Sequence, residues 1–255
     1  MKIAVLCKAV AGEVSEVKIV PGGKALQYQS QLLNINECDE YALEEALALK
    51  RAYGGEVTVL TMGSITTQNV LYLALAKGAD KALRIDAQIQ DSQAASIVLA
   101  AALRTLEFDL VLMGTQSRDT LSGLAGIATA ERLGIPFAFA VTQVEMDGER
   151  SIKVRKELGG GRSADVKLPL PALLCVQTGI QPLTYVPPAR MTRARQQPVR
   201  SRSLGDLGLT EDQIVPQGYR FLRVFPPERT GHVQFLEGSP QEVAATLLAK
   251  IKEVV

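Results

Sequence analysis

Short unbroken apolar runs alternate along the chain with longer segments whose apolar residues recur every three or four positions. The first run, Lys2–Lys8 (KIAVLCK), has the length of a buried strand. Glu40–Tyr53 (EYALEEALALKRAY) carries helical spacing and meets a stop at Gly54-Gly55. Glu56–Met62 (EVTVLTM) is β-branched and strand-like, and Ser64 is a candidate cap for a helix that runs to Lys77 and ends at Gly78. Lys81–Ile85 and Leu110–Met113 predict two further short strands. Ser92–Leu106 and Thr120–Leu133 predict helices, the second closed by Gly134-Ile135-Pro136. Strands alternating with helices of this length make an α/β chain with a doubly wound, mainly parallel sheet covered on both faces.

The texture changes after Pro136. Phe137–Glu145, Ile152–Leu158, Ala164–Leu168 and Ala172–Val176 read as strands, with turns at Asp147-Gly148 and Gly159–Gly161, forming a hairpin and a return strand on the same sheet. Three consecutive glycines suit a hairpin turn better than a phosphate cradle, because no helix follows them. From Gln181 onward Pro182, Pro187, Pro188 and Pro198 interrupt a segment bearing Arg190, Arg193, Arg195, Arg200 and Arg202. This predicts an extended basic arm, either a solvated tail or a strap around a partner with an acidic surface. Pro240–Glu253 then places Val243, Leu247, Leu248 and Ile251 on one helix face. The division is a core at 1–180 and an arm with a terminal helix at 181–255.

Composition narrows the function. A net charge of +1 across 255 residues gives no bulk attraction for nucleic acid or an anionic membrane. Aromatic residues at 5%, with no Trp, leave little for base-stacking platforms. The single histidine, His232, argues against a His-rich metal site or a Ser-His-Asp triad in the core. Cys7, Cys38 and Cys175 are unlinked by any C-x-x-C spacing, which suits a reducing compartment without a disulfide framework or a thiolate metal cluster. No window approaches the roughly 18 unbroken apolar residues of a membrane span, and the N-terminus lacks a signal-peptide pattern, so the expected location is cytoplasmic.

Ligands of open parallel sheets bind beyond the carboxyl ends of the strands. Four segments fall there: Leu6–Val10, Asn34–Asp39, Thr61–Ser64 and Gly114–Gly123. The last follows a buried strand, precedes a helix and carries Ser117, Arg118, Asp119, Thr120 and Ser122. Unpaired N–H groups at a helix start attract phosphate, and Arg118 can pair with a phosphate oxygen or with a neighbouring carboxylate. A plain capped loop accounts for the same residues when they are taken alone; its convergence with three other strand ends favours a nucleotide. Neither G-x-G-x-x-G nor G-x-x-x-x-G-K-[ST] is present, so this is no standard dinucleotide or P-loop fingerprint. Asp39 serves as an N-cap and Asn36 as a turn residue in the simplest reading; in the other they hydrogen-bond an adenine edge or a ribose hydroxyl. Met62 is either core or a flank to a planar base. No nucleophile–base pair and no pair of catalytic carboxylates stands out.

With these segments in view, the chain resembles the beta subunit of electron transfer flavoproteins. The matching stretches are KIAVLCKAV, NINECDEYALEEALALK, VTVLTMG with ALAKGADKALRI, and DLVLMGTQSRDTLSGLAGIATAERLGIP; VRKELGGGRSADVKLPLPALLCV, TYVPPARMTRAR and VFPPERTGHVQFLEG follow. The resemblance implies an adenine nucleotide alpha hydrolase-like sheet and a non-enzymatic half of a heterodimer. Its alpha subunit holds most of an FAD, and the beta subunit binds AMP or, in electron-bifurcating members, a second FAD. The implied nucleotide contacts are Leu6, Asn36, Glu37, Cys38, Asp39, Met62 and Gly114, Thr115, Gln116, Ser117, Arg118, Asp119, Thr120, Leu121, Ser122 and Gly123. The implied partners are the alpha subunit, dehydrogenase electron donors and a quinone-reducing acceptor. Docking falls at Val186-Pro187, where the family uses a leucine. The family loop at Gly114–Gly123 is usually longer and richer in carboxylates.

Two other functions compete. A stand-alone adenine-nucleotide-binding regulator of the universal-stress type uses the same kind of sheet but has no need of a basic, proline-broken arm. An ATP-dependent activating enzyme calls for a pyrophosphate loop after the first strand, where this chain has Ala9-Val10-Ala11-Gly12-Glu13.

Overall fold

A computed structural model describes the chain apart from residues 13–17, 24, 25, 28–32, 90, 215–221, 227–230, 232 and 255. His232 and Glu13 therefore lie outside the described residues. In chain order the first elements are β1 (Lys2–Leu6), β2 (Ala9–Ala11), β3 (Lys18–Ile19), β4 (Leu26–Gln27), β5 (Leu33–Ile35), α1 (Glu37–Tyr53), β6 (Glu56–Met62), α2 (Gln68–Lys77) and β7 (Lys81–Asp86). Then come α3 (Ser92–Arg104), β8 (Leu110–Gly114), α4 (Ala125–Leu133), β9 (Phe137–Met146), β10 (Ser151–Gly159), β11 (Arg162–Pro169), β12 (Ala172–Val176), α5 (Pro188–Ala194), β13 (Arg200–Ser203) and α6 (Pro240–Val254).

Nine strands form one sheet in the order β11-β10-β9-β12-β8-β1-β6-β7-β13. Its pairs are parallel from β9 through β12, β8, β1, β6 and β7 to β13, and antiparallel across β9, β10 and β11. The central strands read as continuous apolar runs because both of their faces are buried. One face packs Ile3, Val5, Val57 and Val59 against Leu43 and Leu47 of α1 and Leu71 of α2. The other packs Ala4, Leu6, Leu60 and Val111 against Val98, Leu99 and Leu103 of α3 and Ala130 of α4. Gly126 lets α4 approach closely, since a Cβ there would press on Cys175 Sγ and Met113 Sδ. The doubly wound α/β architecture, with the hairpin and return strand on the same sheet, is as the sequence predicts.

Four local expectations are corrected. Helix α1 begins at Glu37 with Asn36 at its N-cap, so Asp39 lies inside the first turn and does not cap. Ser64 makes no capping bond, and a short 3₁₀ turn at Ile65–Thr67 precedes α2. Helix α4 starts at Ala125, not Thr120: the hydroxyls that resemble caps pair elsewhere, Ser117 with Thr120 and Ser92 with Ser122. The segment after Gln181 is only partly extended. Proline tolerates the first helical turn, where its missing N–H is no loss, and α5 starts at Pro188. Downstream, β13 pairs in parallel with β7, Arg200 opposite Leu83, and forms the sheet edge.

A buried ion pair joins this segment to the core. Lys77 Nζ lies 2.6 Å from Glu44 Oε1 and 2.8 Å from Glu40 Oε1, and it donates to the Thr184 carbonyl at 2.9 Å. Thr184 returns two bonds to the Glu44 carboxylate, from its amide at 2.8 Å and its hydroxyl at 2.9 Å. Burial raises the pKa of Glu44, but the Lys77 and Thr184 donors outweigh it and leave the carboxyl below its ordinary range. On α6, Leu247, Leu248 and Ile251 stay about half exposed.

Candidate functional site

Strand order reverses between β1 and β8: the chain leaves β1 toward β6 and β7, then returns to place β8 on the other side. Such a switch point opens a crevice beyond the strand ends, because the two adjoining connections run to opposite faces. A cavity of about 380 Å³ lies there. It is lined by Leu6–Ala9 after β1, Leu60–Gly63 at the end of β6, Ala87–Ile89 after β7, and Met113–Ser117 at the end of β8. Ser92, Ala95 and Leu99 of α3 and Ala125 and Gly126 of α4 complete the wall. Its inner surface is apolar, from Leu6, Leu60, Met62, Leu99 and Met113, and its rim is polar.

Asp39 and Asn36 organise the rim. Asp39 Oδ2 accepts the Lys8 amide at 2.8 Å and Oδ1 accepts the Gly114 amide at 2.7 Å, so one carboxylate ties α1 to the ends of β1 and β8. Burial pushes this carboxyl up to about 6, against the downward pull of those two amides. Gly114 is required where it stands: a Cβ would overlap Cys38 Cβ and the Asp39 carboxylate. Asn36 Nδ2 donates to the Gln116 carbonyl at 2.9 Å, and its Oδ1 accepts the Arg118 amide at 3.0 Å. These bonds fix the first half of the loop between β8 and α4. Leu121, at φ 51°, takes the left-handed conformation that lets the loop turn back.

Of the residues singled out in the sequence, Leu6, Asn36, Asp39, Met62, Gly114, Thr115, Gln116, Ser117, Thr120, Ser122 and Gly123 line the cavity. Glu37, Cys38, Arg118, Asp119 and Leu121 do not. Arg118 and Leu121 are exposed, while Cys38 is buried beneath Gly114. The basic side chain that does line the cavity is Lys8, which passes for the last residue of the first strand in the sequence. Its signal is positional: the strand ends at Leu6, and a lysine two residues beyond a central strand projects over the crevice. Val186 packs partly buried against the core, leaving Tyr185 77% exposed beside it.

Cys7 and Cys175 are buried thiols that burial raises, Cys7 well above its ordinary value despite an opposing pull from Lys77 and Cys175 to about 12. Among the described residues no group of three or more His, Cys, Asp or Glu is placed to hold a metal, and no helix is long and apolar enough to cross a membrane.

Comparison with known proteins follows the same lines. Residues 26–207 match the electron transfer flavoprotein domain family. Over 99% of its length the chain is 30% identical to the electron transfer flavoprotein subunit beta of Methylophilus methylotrophus, covering 98% of that protein. It is 32% identical to the Bacillus subtilis subunit beta, over 93% of each chain. A third relative, 31% identical over 99% of this chain and 98% of its own, is a caffeyl-CoA reductase-Etf complex subunit of Acetobacterium woodii.

Proposed function

The chain belongs to the electron transfer flavoprotein family, with beta subunits among its near-full-length relatives, and within such a complex we propose that it is the half that holds an adenine nucleotide at the β1/β8 switch point. The observation that carries this reading is the cavity itself. Apolar side chains from three strand ends and α3 form a slot that suits a planar base, and the Asn36- and Asp39-anchored loop presents backbone and hydroxyl groups at its rim. The residues present suit the group: Met62 and Leu6 border the slot, while Thr115, Gln116 and Ser117 offer polar contacts to a sugar or phosphate.

The nucleotide is AMP or the adenylate end of a second FAD. AMP stabilises the chain by binding only its folded form; a flavin, when bound, supplies two-electron acceptance and one-electron release. No side chain of this chain is asked to do covalent chemistry, and its part is to bind and orient. The alpha subunit completes the heterodimer and shares the main FAD. Dehydrogenases deliver electrons and a quinone-reducing protein receives them, with docking at Val186-Pro187 just before α5, where Tyr185 projects. Small contact areas suit such transient electron-transfer encounters. Co-expression with an alpha subunit tests the reading. A co-purifying heterodimer with flavin absorbance that a dehydrogenase bleaches supports it, and a stable homodimer without flavin favours the stand-alone nucleotide-binding regulator.

A further inference from the structure

Only one basic and one acidic side chain line the cavity among the described residues, Lys8 and Asp39. Asp39 is committed, both oxygens accepting backbone amides. The ammonium of Lys8 is committed differently. It reaches out of the cavity lining to Asp119 Oδ1 at 2.7 Å and also donates to Ser117 Oγ at 3.2 Å. Ser117 Oγ lies 2.7 Å from Thr120 Oγ1. A cation at the cavity mouth, a carboxylate against it and two hydroxyls beside it make a short polar chain along the rim. The two charged side chains are 38% and 30% exposed, so both can change partners without unfolding the core.

The two partners differ in what holds them. The Lys8 backbone is fixed by Asp39, two residues beyond a central strand. Asp119 sits in the loop between β8 and α4, past the last anchor that Asn36 supplies at Arg118. An anion from outside therefore meets a cation with a fixed backbone, whose present partner is a 30% exposed carboxylate on the loop. A carboxylate and a phosphate cannot both occupy that place cheaply, since two like charges at one cation repel.

We propose that Lys8 is the cation that receives the 5′-phosphate of the nucleotide, and that Asp119 stands in for that phosphate in the unliganded chain. This rests on the nucleotide reading above. Phosphate entry exchanges the Lys8–Asp119 pair for a Lys8–phosphate pair, frees the Asp119 carboxylate toward solvent, and leaves Ser117 and Thr120 to donate to the incoming oxygens. Arg118, the candidate that the sequence offers for this role, contributes its backbone amide to Asn36, and its exposed side chain lies off the cavity. The burial of Asp119 raises its pKa, but the Lys8 and Ser117 bonds outweigh that and keep the carboxyl ionised, as a phosphate stand-in must be.

The test is a titration of the full chain, with its alpha subunit where the two co-purify, by AMP, by FAD and by adenosine, which shares the base and sugar but lacks the phosphate. In Lys8→Met, AMP and FAD should bind about tenfold more weakly and adenosine unchanged, while Lys8→Arg keeps the preference for the phosphorylated ligands. Asp119→Asn should bind AMP severalfold more tightly, again with adenosine unchanged. If Lys8→Met retains the wild-type ratio of AMP to adenosine affinity, or if Asp119→Asn weakens AMP, the assignment is overturned while the nucleotide reading stands. Failure of the wild-type chain to bind any of the three overturns both.

Discussion

The Gly114 amide donates to Asp39 Oδ1 at 2.7 Å, joining the first turn of α1 to the last residue of β8 across 75 positions of sequence. The other oxygen of the same carboxylate holds the Lys8 amide. Two strand ends on opposite sides of the switch point are thereby set at a fixed distance, and the cavity lies between them. Asp39→Ala should lower stability by about 2–4 kcal/mol, from two lost hydrogen bonds to a charged acceptor and the unpaired buried amides left behind. Thermal melts and nucleotide retention should fall together. An unchanged melt would remove Asp39 from this role.

Acidification gives a second reading of the same group. The folded pKa, about 6, lies above the ordinary 3.8. Between those values the folded chain holds a proton that the unfolded chain has lost, so this group's contribution to stability grows as pH falls from about 6 to about 4. The wild type should gain on Asp39→Asn when melts are repeated from pH 7 down to pH 5. A constant difference across that range would contradict the assignment.

Gly114→Ala tests the same junction from the strand side. The added methyl has no room beside Cys38 and Asp39. The expected loss is about 1–3 kcal/mol from overpacking, with weaker nucleotide retention. Gly205→Ala, in the short 3₁₀ turn Gly205–Leu207 where the added carbon meets only Ser203 Oγ at 3.8 Å, serves as a control that leaves nucleotide content unchanged.

The pair Lys77–Glu44 predicts how the basic segment is attached. Lys77→Met leaves a buried carboxylate without its cation and should cost about 3–5 kcal/mol. Adding Glu44→Leu should recover part of that loss, as coupled partners do. Since Glu44 sits below its ordinary range, its contribution is present above about pH 4.5 and disappears on further acidification. Strict additivity of the two substitutions would show that they do not act as a pair.

Much of this fold can be read from hydrophobic period alone, because the central strands are buried on both faces and the helices end at glycines such as Gly78 and Gly134. What escapes is set by tertiary contact. Asp39 has the chemistry of a cap but is drawn across to two strands, and Thr120 has the chemistry of a cap but pairs with Ser117. The strand Arg200–Ser203 is exposed and carries no apolar pattern; only the open edge of β7 makes it a strand. Lys8 escapes because an apolar run does not show where its strand stops.

In the segment proposed for docking, just before α5, Tyr185 and Val186 should separate by phenotype. Tyr185→Ala removes an exposed aromatic and should slow reduction by a dehydrogenase partner about 5–30-fold through KM, with an unchanged melt. Val186→Ala should lower the melt instead, since that side chain packs on the core. A kinetic effect confined to Val186→Ala, with none from Tyr185→Ala, would place the anchor at Val186.

The most direct test of the central claim is to purify the chain with its alpha subunit, denature the complex and quantify the released nucleotides by chromatography. The account predicts one adenine nucleotide held by this chain in addition to the shared flavin, seen as one FAD with one AMP, or as two FAD. One FAD and no further adenine nucleotide would contradict it.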